Sequence, residues 1–221
     1  LDEAIKHNAS KELLDSYEAE RAPHAWSMIE LALNMGKVMM PASAIQGFIV
    51  RSCFKFLGLY GPARDYFSQM KYKPKPRFKI GLIWPDNRRG KYTLIGRMIF
   101  QSVLESFDGK SNLLDEVLPD LPVLIIFSRK PEEALTKEMC INLESDGVYI
   151  IGITPEDTKV IETNIPVFRD RSRYFSQKPY PDYLEHVLLL RRDRYIAASC
   201  KIEKVMDVRA KIKKLTAICE S

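Results

Sequence analysis

Pro122-Val123-Leu124-Ile125-Ile126-Phe127-Ser128 is the stretch whose reading decides the fold. Five consecutive apolar residues end in a hydroxyl residue. A run this short reads as a strand buried on both faces or as a piece of buried helix, and its β-branched and aromatic content favours the strand. Pro122 stands at its start, where a missing N–H does least harm. Arg129-Lys130-Pro131-Glu132-Glu133 then reads as a helix opening, with Leu135, Met139 and Leu143 as the buried stripe. Val148-Tyr149-Ile150-Ile151-Gly152-Ile153 reads as a second strand. Strand, helix and strand make a β-α-β unit, whose sheet is expected to be covered by helices.

Working outward, Ile165-Pro166-Val167-Phe168 is apolar again, and Thr158 to Glu162 is expected to begin a short helix or strand. His186-Val187-Leu188-Leu189-Leu190 and Tyr195-Ile196-Ala197-Ala198-Ser199 flank the charged turn Arg191-Arg192-Asp193-Arg194, which is a hairpin pattern. Ile202, Val205, Val208, Ile212, Leu215 and Ile218 follow at helical spacing. The opposite face of that helix carries Lys204, Arg209, Lys211, Lys213 and Lys214 and is read as solvated. Strands are therefore expected near 122–127, 148–153, 187–190 and 195–199, inside an α/β domain from about residue 78 to 221. On the near side, Leu113 to Leu118 reads as a short helix and Ile95 to Phe100 as a short extended stretch. The order β-α-β, hairpin, closing helix is compatible with a thioredoxin-like domain.

The first part of the chain is helical in pattern. Ser10 can cap a helix carrying Leu13, Leu14, Tyr17, Ala25, Met28, Ile29, Ala32, Met35 and Met39. Pro23 is expected to kink it or to open a second helix, and Pro41 ends it. Ser43-x-x-Gln46 is a capping box for the next helix, with Ile45, Phe48, Ile49, Cys53 and Phe56 on one face and Gly58 or Gly61 as its stop. Two such helices bury little by themselves, so their apolar faces are expected to dock on other protein. Met70 to Phe78, with prolines at 74 and 76, reads as an extended, basic crossover.

The chain has 221 residues, 29% of them charged, and a net charge of +5. That excess is too mild to imply nucleic acid, and no apolar run reaches membrane-spanning length. The start, Leu-Asp-Glu-Ala-Ile-Lys, is not a signal peptide. It lacks an initiator Met and reads as a fragment or a processed product. The four cysteines, at 53, 140, 200 and 219, form neither a Cys-x-x-Cys pair nor a zinc spacing, and are read as free thiols in a reducing compartment. Thioredoxin-type chemistry needs a thiol at the start of the first helix, and the loop Ser128-Arg129-Lys130-Pro131 has none. The sequence holds no Gly-x-Gly-x-x-Gly, no phosphate-loop lysine and no nucleophile elbow. Asp65, Asp86, Asp115 and Asp120 are carboxylates without a spacing that forces any pair together, and His24 beside Pro23 reads as a surface residue. No catalytic, cofactor-binding or metal-ligating residue is assigned. The residues alone describe an accessory or partner-binding domain.

A resemblance sharpens this. Leu13-Leu14-Asp15-Ser16-Tyr17-Glu18-Ala19-Glu20-Arg21-Ala22-Pro23-His24-Ala25 resembles the segment that closes the FAD-binding part of class A flavoprotein aromatic hydroxylases. Met70 to Phe78 looks like the crossover of the subgroup acting on phenols and 3-(3-hydroxyphenyl)propionate, and Leu113-Leu114-Asp115-Glu116 looks like the start of its C-terminal domain. Phe168-Arg169-Asp170 and Leu190-Arg191-Arg192-Asp193-Arg194-Tyr195-Ile196-Ala197 resemble two further stretches. In the last, the family often has Pro where Arg192 stands and Gly where Arg194 stands. Lys6, His7 and Asn8 do not match the family's helix after its flavin-binding Gly-Asp motif.

The resemblance implies NAD(P)H-dependent reduction of FAD, attack on an aromatic ring through a flavin hydroperoxide, and a thioredoxin-like tail without cysteines. The implied organisation is a helical segment over 1–70, an extended crossover over 71–110 and a thioredoxin-like domain over 111–221. The implied partners are an upstream flavin domain, a phenolic or related aromatic substrate for the whole protein and, for the helical segment, that flavin domain or a second copy. No cofactor is assigned to these residues themselves. Nucleic acid and membrane are not expected, and the location is expected to be cytoplasmic. A stand-alone, non-catalytic interaction module is the alternative reading.

Overall fold

The computed structural model describes residues 11–69, 73, 76–158 and 160–220. Ser10, Lys6, His7 and Asn8, most of the 70–75 basic stretch, and the side chains of Leu13, Leu14, Ile218 and Cys219 lie outside what is described. The chain divides into two compact units, one of Glu18–Pro76 and the other of Arg77–Ser221 with Leu1–Tyr17.

The smaller unit is helical. α1 spans Lys11–Met39 with Pro23 inside it. The structure thus corrects the expectation of a second helix at Pro23, because a proline removes one backbone donor while the ladder on either side persists. α2 spans Ala44–Leu59. Ser43 Oγ accepts from Gln46 N at 3.2 Å, while the Gln46 side chain reaches back to Ala42 N at 3.1 Å. Gly58 is absorbed into α2, and Gly61 opens a further helix, α3, over Gly61–Ser68. The sequence reading missed α3, since it took Gly61 as a stop when Gly-Pro is equally an opening. The apolar stripe of α2 is exposed: Ile45 at 75%, Phe48 at 67% and Phe56 at 73%.

The larger unit is built on a seven-stranded sheet. Its strands are β1 Val103–Glu105, β2 Ser111–Leu113, β3 Val123–Phe127, β4 Tyr149–Thr154, β5 Val167–Asp170, β6 His186–Leu190 and β7 Ile196–Lys201, in the order β2-β1-β5-β4-β3-β6-β7. β3 and β4 are parallel, as are β4 and β5. β6 and β7 form the antiparallel hairpin, with β6 antiparallel to β3. Two parallel strands joined by a helix, flanked by a hairpin and a closing helix, make this a thioredoxin-like α/β fold. All five residues of β3 are buried, each worth about 1.5–3 kcal/mol of hydrophobic transfer.

The two faces of the sheet are covered differently. Leu124, Ile126, Ile150, Val187 and Leu189 face α5, Lys137–Ser145, and α6, Met206–Glu220, through Leu143, Val208 and Ile212. Val123, Ile125, Phe127, Leu188 and Leu190 face Phe78, Leu94, Ile95, Ile99, Phe175 and Tyr180. Helices cover one face as expected, but mostly irregular chain covers the other, with only the one-turn α4, Leu114–Val117, contributing Leu114. A crossover of fixed hand places α5 on one side only. Much of the stretch read as an extended crossover therefore lies in the core.

Three smaller corrections follow. Pro131–Glu133 is a 3-10 turn, and α5 begins only at Lys137. Thr158 to Glu162 forms no helix or strand among its described residues. β1 and β2 went unread because each has three residues and β2 buries none of them.

Candidate functional site

In a thioredoxin-like fold the loop after the central parallel strand is where chemistry is carried, so the site is built from Ser128 to Pro131. Ser128 is buried, and its Oγ donates to Glu185 Oε2 at 2.8 Å while accepting from Lys130 N at 3.0 Å. Arg129 N donates to Glu185 Oε1 at 3.3 Å, and Glu185 N donates to Phe127 O at 2.8 Å. Glu185 sits at φ 60°, a left-handed conformation that these three bonds, with a fourth from Ile202 N to Glu185 O at 3.3 Å, hold in place. Arg129 pairs with Asp157 at 2.8 Å and Lys130 with Glu133 at 2.9 Å. His186 Nδ1 lies 3.0 Å from Leu184 O, which fixes it as the donor. Ser128, Glu185, His186 and Lys201 line an open cavity of about 560 Å³.

This cavity has the polar groups of a pocket, and no thiol is among its lining residues. The described thiols lie elsewhere: Cys53 is exposed in the helical unit, and Cys140 and Cys200 are half-buried. Burial, then the nearby Glu144, pushes the Cys140 thiol up. Burial pushes Cys200 up to about 11. Both directions oppose the thiolate that exchange chemistry requires. The first turn of α5 is capped by Thr136, whose Oγ1 accepts from Met139 N at 3.2 Å.

The carboxylates singled out in the sequence are not brought together. Asp115 accepts from Arg194 at 3.1 Å and Asp120 from Arg192 at 2.6 Å. Asp65 lies 3.7 Å from Arg64 in α3. Asp86 accepts the hydroxyl of buried Tyr183, which in turn accepts from Leu94 N at 3.0 Å. Burial, then the hydrogen bond to Asp86, holds the Tyr183 phenol above its ordinary pKa. Arg88 stacks 4.3 Å from the Tyr183 ring centre. His24 is half-buried, and its carbonyl accepts from Ser27 at 2.7 Å. Among the described residues no group of three or more His, Cys, Asp or Glu could hold a metal ion, and no helix is long and apolar enough to cross a membrane.

Sequence reasoning did not single out Glu185 or Tyr183. Glu185 carries no pattern of its own, since a left-handed glutamate just before a strand leaves no sequence signature. Asp86 and Tyr183 meet only because the chain from 78 to 99 folds back on the sheet.

Fold and loop together define a thioredoxin-like domain whose loop after the central strand carries a serine–glutamate pair and no cysteine. The family described as the HcaD C-terminal domain matches residues 96–215, more than half of the chain, and the chain belongs to that family. Among curated proteins it is similar to a 3-(3-hydroxy-phenyl)propionate/3-hydroxycinnamic acid hydroxylase of Klebsiella pneumoniae, 32% identical over 152 residues, or 69% of this chain and 27% of that protein. The enzyme of the same name from Mycobacterium avium is 26% identical over 214 residues, or 93% of this chain and 36% of that protein. The chain thus spans about a third of the curated relatives it matches. Among solved structures, the fold is shared with the flavin-dependent monooxygenase PieE in complex with FAD and substrate, at TM-score 0.55 and 14% identity over 99% of this chain and 42% of that one. It is shared likewise with the OxyS anhydrotetracycline hydroxylase of Streptomyces rimosus, at TM-score 0.55 and 18% identity over 96% of this chain and 37% of that one. The resemblance read from the sequence is met by these relatives.

The described residues hold no glycine-rich turn of the kind that seats the pyrophosphate of FAD at a helix N-terminus. A dinucleotide is usually held by a turn of closely spaced glycines, Gly-x-Gly-x-x-Gly, that opens a helix and aims backbone N–H groups at the phosphates. The left-handed glycines here, at 81, 90, 96, 109 and 147, stand singly, and none opens an α-helix. Gly96 is instead filled by backbone, since a Cβ there would lie 2.0 Å from Phe78 O.

Proposed function

We propose that this chain is the C-terminal portion of an FAD-dependent, NAD(P)H-consuming aromatic-ring monooxygenase, acting on a phenolic or related aromatic substrate in the cytoplasm. The observation that carries the reading is the match of nearly the whole chain to about a third of much longer hydroxylases. In this reading residues 1–70 belong to the flavin and substrate part and 111–221 form the tail domain, while the 71–110 stretch between them packs into that domain's core from Phe78 onward. The chain itself assigns no catalytic or cofactor-binding residue. Its role is structure and association, with the exposed apolar stripe of α2 seated on the flavin domain. Ser128 and Glu185 then act as a structural clamp between β3 and β6.

The test is expression of the full reading frame beside the 221-residue chain. The reading expects flavin absorbance and NAD(P)H consumption with a phenolic substrate from the full frame alone. Flavin retained by the short chain would refute this division of labour. Flavin absent from both would favour a stand-alone, non-catalytic interaction module, the second reading that the serine–glutamate loop supports.

A further inference from the structure

Arg77 and Arg97 face each other across an isolated antiparallel bridge, a position where like charges repel. Both guanidinium groups converge on one acceptor: Arg77 donates to Gly90 O at 2.8 Å and Arg97 at 3.1 Å. Among the described residues neither has a carboxylate partner. Arg77 Nε is buried without an acceptor. Burial, then the charge of Arg77, holds Arg97 below its ordinary pKa. Beside them lies a hollow of about 210 Å³, lined on its polar side by Arg77, Lys79, Arg88 and Arg89. Asp86 is the nearby carboxylate, but it serves Arg88 at 3.6 Å and the Tyr183 hydroxyl. Among the described residues no carboxylate lines the hollow.

A cluster of this kind carries more positive charge than the protein neutralises, on groups whose fork geometry matches tetrahedral oxyanions. We infer that Arg77, Lys79 and Arg89, backed by Arg97, form a binding site for the phosphate group of a small ligand. Arg77, Lys79 and Arg89 bring three positive charges to the lining of the hollow, and Arg97, which shares the Gly90 carbonyl with Arg77, adds a fourth from beside it. The site does not depend on the proposed monooxygenase function.

The probes are inorganic phosphate and pyrophosphate, titrated calorimetrically into the 221-residue chain at ionic strength held constant with chloride. Saturable binding and a raised melting temperature are expected. Arg77→Gln should weaken pyrophosphate binding by about tenfold or more, the usual weight of a charged hydrogen bond. Should that variant fail to fold, the exposed Arg89→Glu decides, with a similar loss expected while the fold is kept. Heat that follows ionic strength alone, binding unchanged in Arg89→Glu, or malonate binding as tightly as pyrophosphate would each overturn the assignment.

Discussion

Ser128 and Glu185 join the end of β3 to the start of β6 through a 2.8 Å hydrogen bond. A thiol placed at Ser128 would face a carboxylate and stand nine residues before the first α-helical turn at Lys137. Neither neighbour favours a thiolate. Ser128→Cys should therefore alkylate with an apparent pKa above the ordinary thiol value of about 8.5 and show no insulin reduction. A pH series with iodoacetamide reads the first, and a depressed pKa would contradict the view that this loop is built against redox work.

Gly152 lies in β4 under Pro131, where an added Cβ would come within 2.5 Å of the Pro131 Cβ. Gly152→Ala should cost about 1–3 kcal/mol by overpacking, read as a lower urea midpoint at unchanged slope. Gly96→Ala should cost more, because φ is +76° and the clash is with the Phe78 carbonyl oxygen, which cannot rotate away.

Arg194 occupies φ 67° in the β6–β7 turn, the position where the related hydroxylases resembled in sequence often carry Gly. A side chain there costs about 1 kcal/mol. Its guanidinium offsets this by bonding Asp115 at 3.1 Å, Leu118 O at 3.3 Å and Pro119 O at 3.4 Å. Arg194→Gly should consequently lie within about 1 kcal/mol of the parent, since strain and bonds are lost together. Arg194→Ala keeps the strain and loses the bonds, so it should melt lower than the glycine variant. Equal melting of the two would show that the turn is unstrained.

Asp146, at the end of α5, accepts from Arg209 of α6 at 2.5 Å. That bond, followed by charge from Arg209 and Lys213, holds its carboxyl below the usual range against some desolvation. A lowered native pKa means the unfolded chain takes up the proton first as pH falls. The contribution is full above about pH 4 and is lost as pH drops through the native value. Buried Asp170 is shifted upward by desolvation and works in the opposite direction, with the native state holding its proton longer. Asp146→Asn should lower stability at pH 7 and flatten its loss in acid, read as melting temperature from pH 7 to 3. A steeper acid loss in that variant would contradict the assignment.

Runs of buried apolar residues made β3, β4, β6 and β7 legible, because a strand covered on both faces shows itself without reference to anything distant. The stripe Leu135, Met139, Leu143 marked α5, and Val205, Val208, Ile212 marked α6, for the same local reason. What stayed hidden depends on meetings across the chain. β1 pairs with β5 through only Leu104 and Glu105, too short to leave a pattern. Phe78 stacks on Tyr195 at 4.0 Å, yet neither residue announces the other. The candidate site was legible only as a loop lacking cysteine, and the Glu185 that completes it comes from 57 positions away.

The irregular cover of the second sheet face also bears on how the molecule assembles. Trp84 N bonds Ala197 O, Gly96 N bonds Ile196 O and Ile99 N bonds Arg194 O, at 2.7, 2.8 and 3.0 Å. These pairings join segments roughly a hundred residues apart, so each carries a large loop-closure entropy. The β3–β6 sheet and its helices have nearer partners and can form without them. The segment from 78 to 99 is therefore expected to close after the sheet has formed. Until it closes, Ile125, Phe127 and Leu188 present an open apolar face to other chains, and that interval is where aggregation competes with folding.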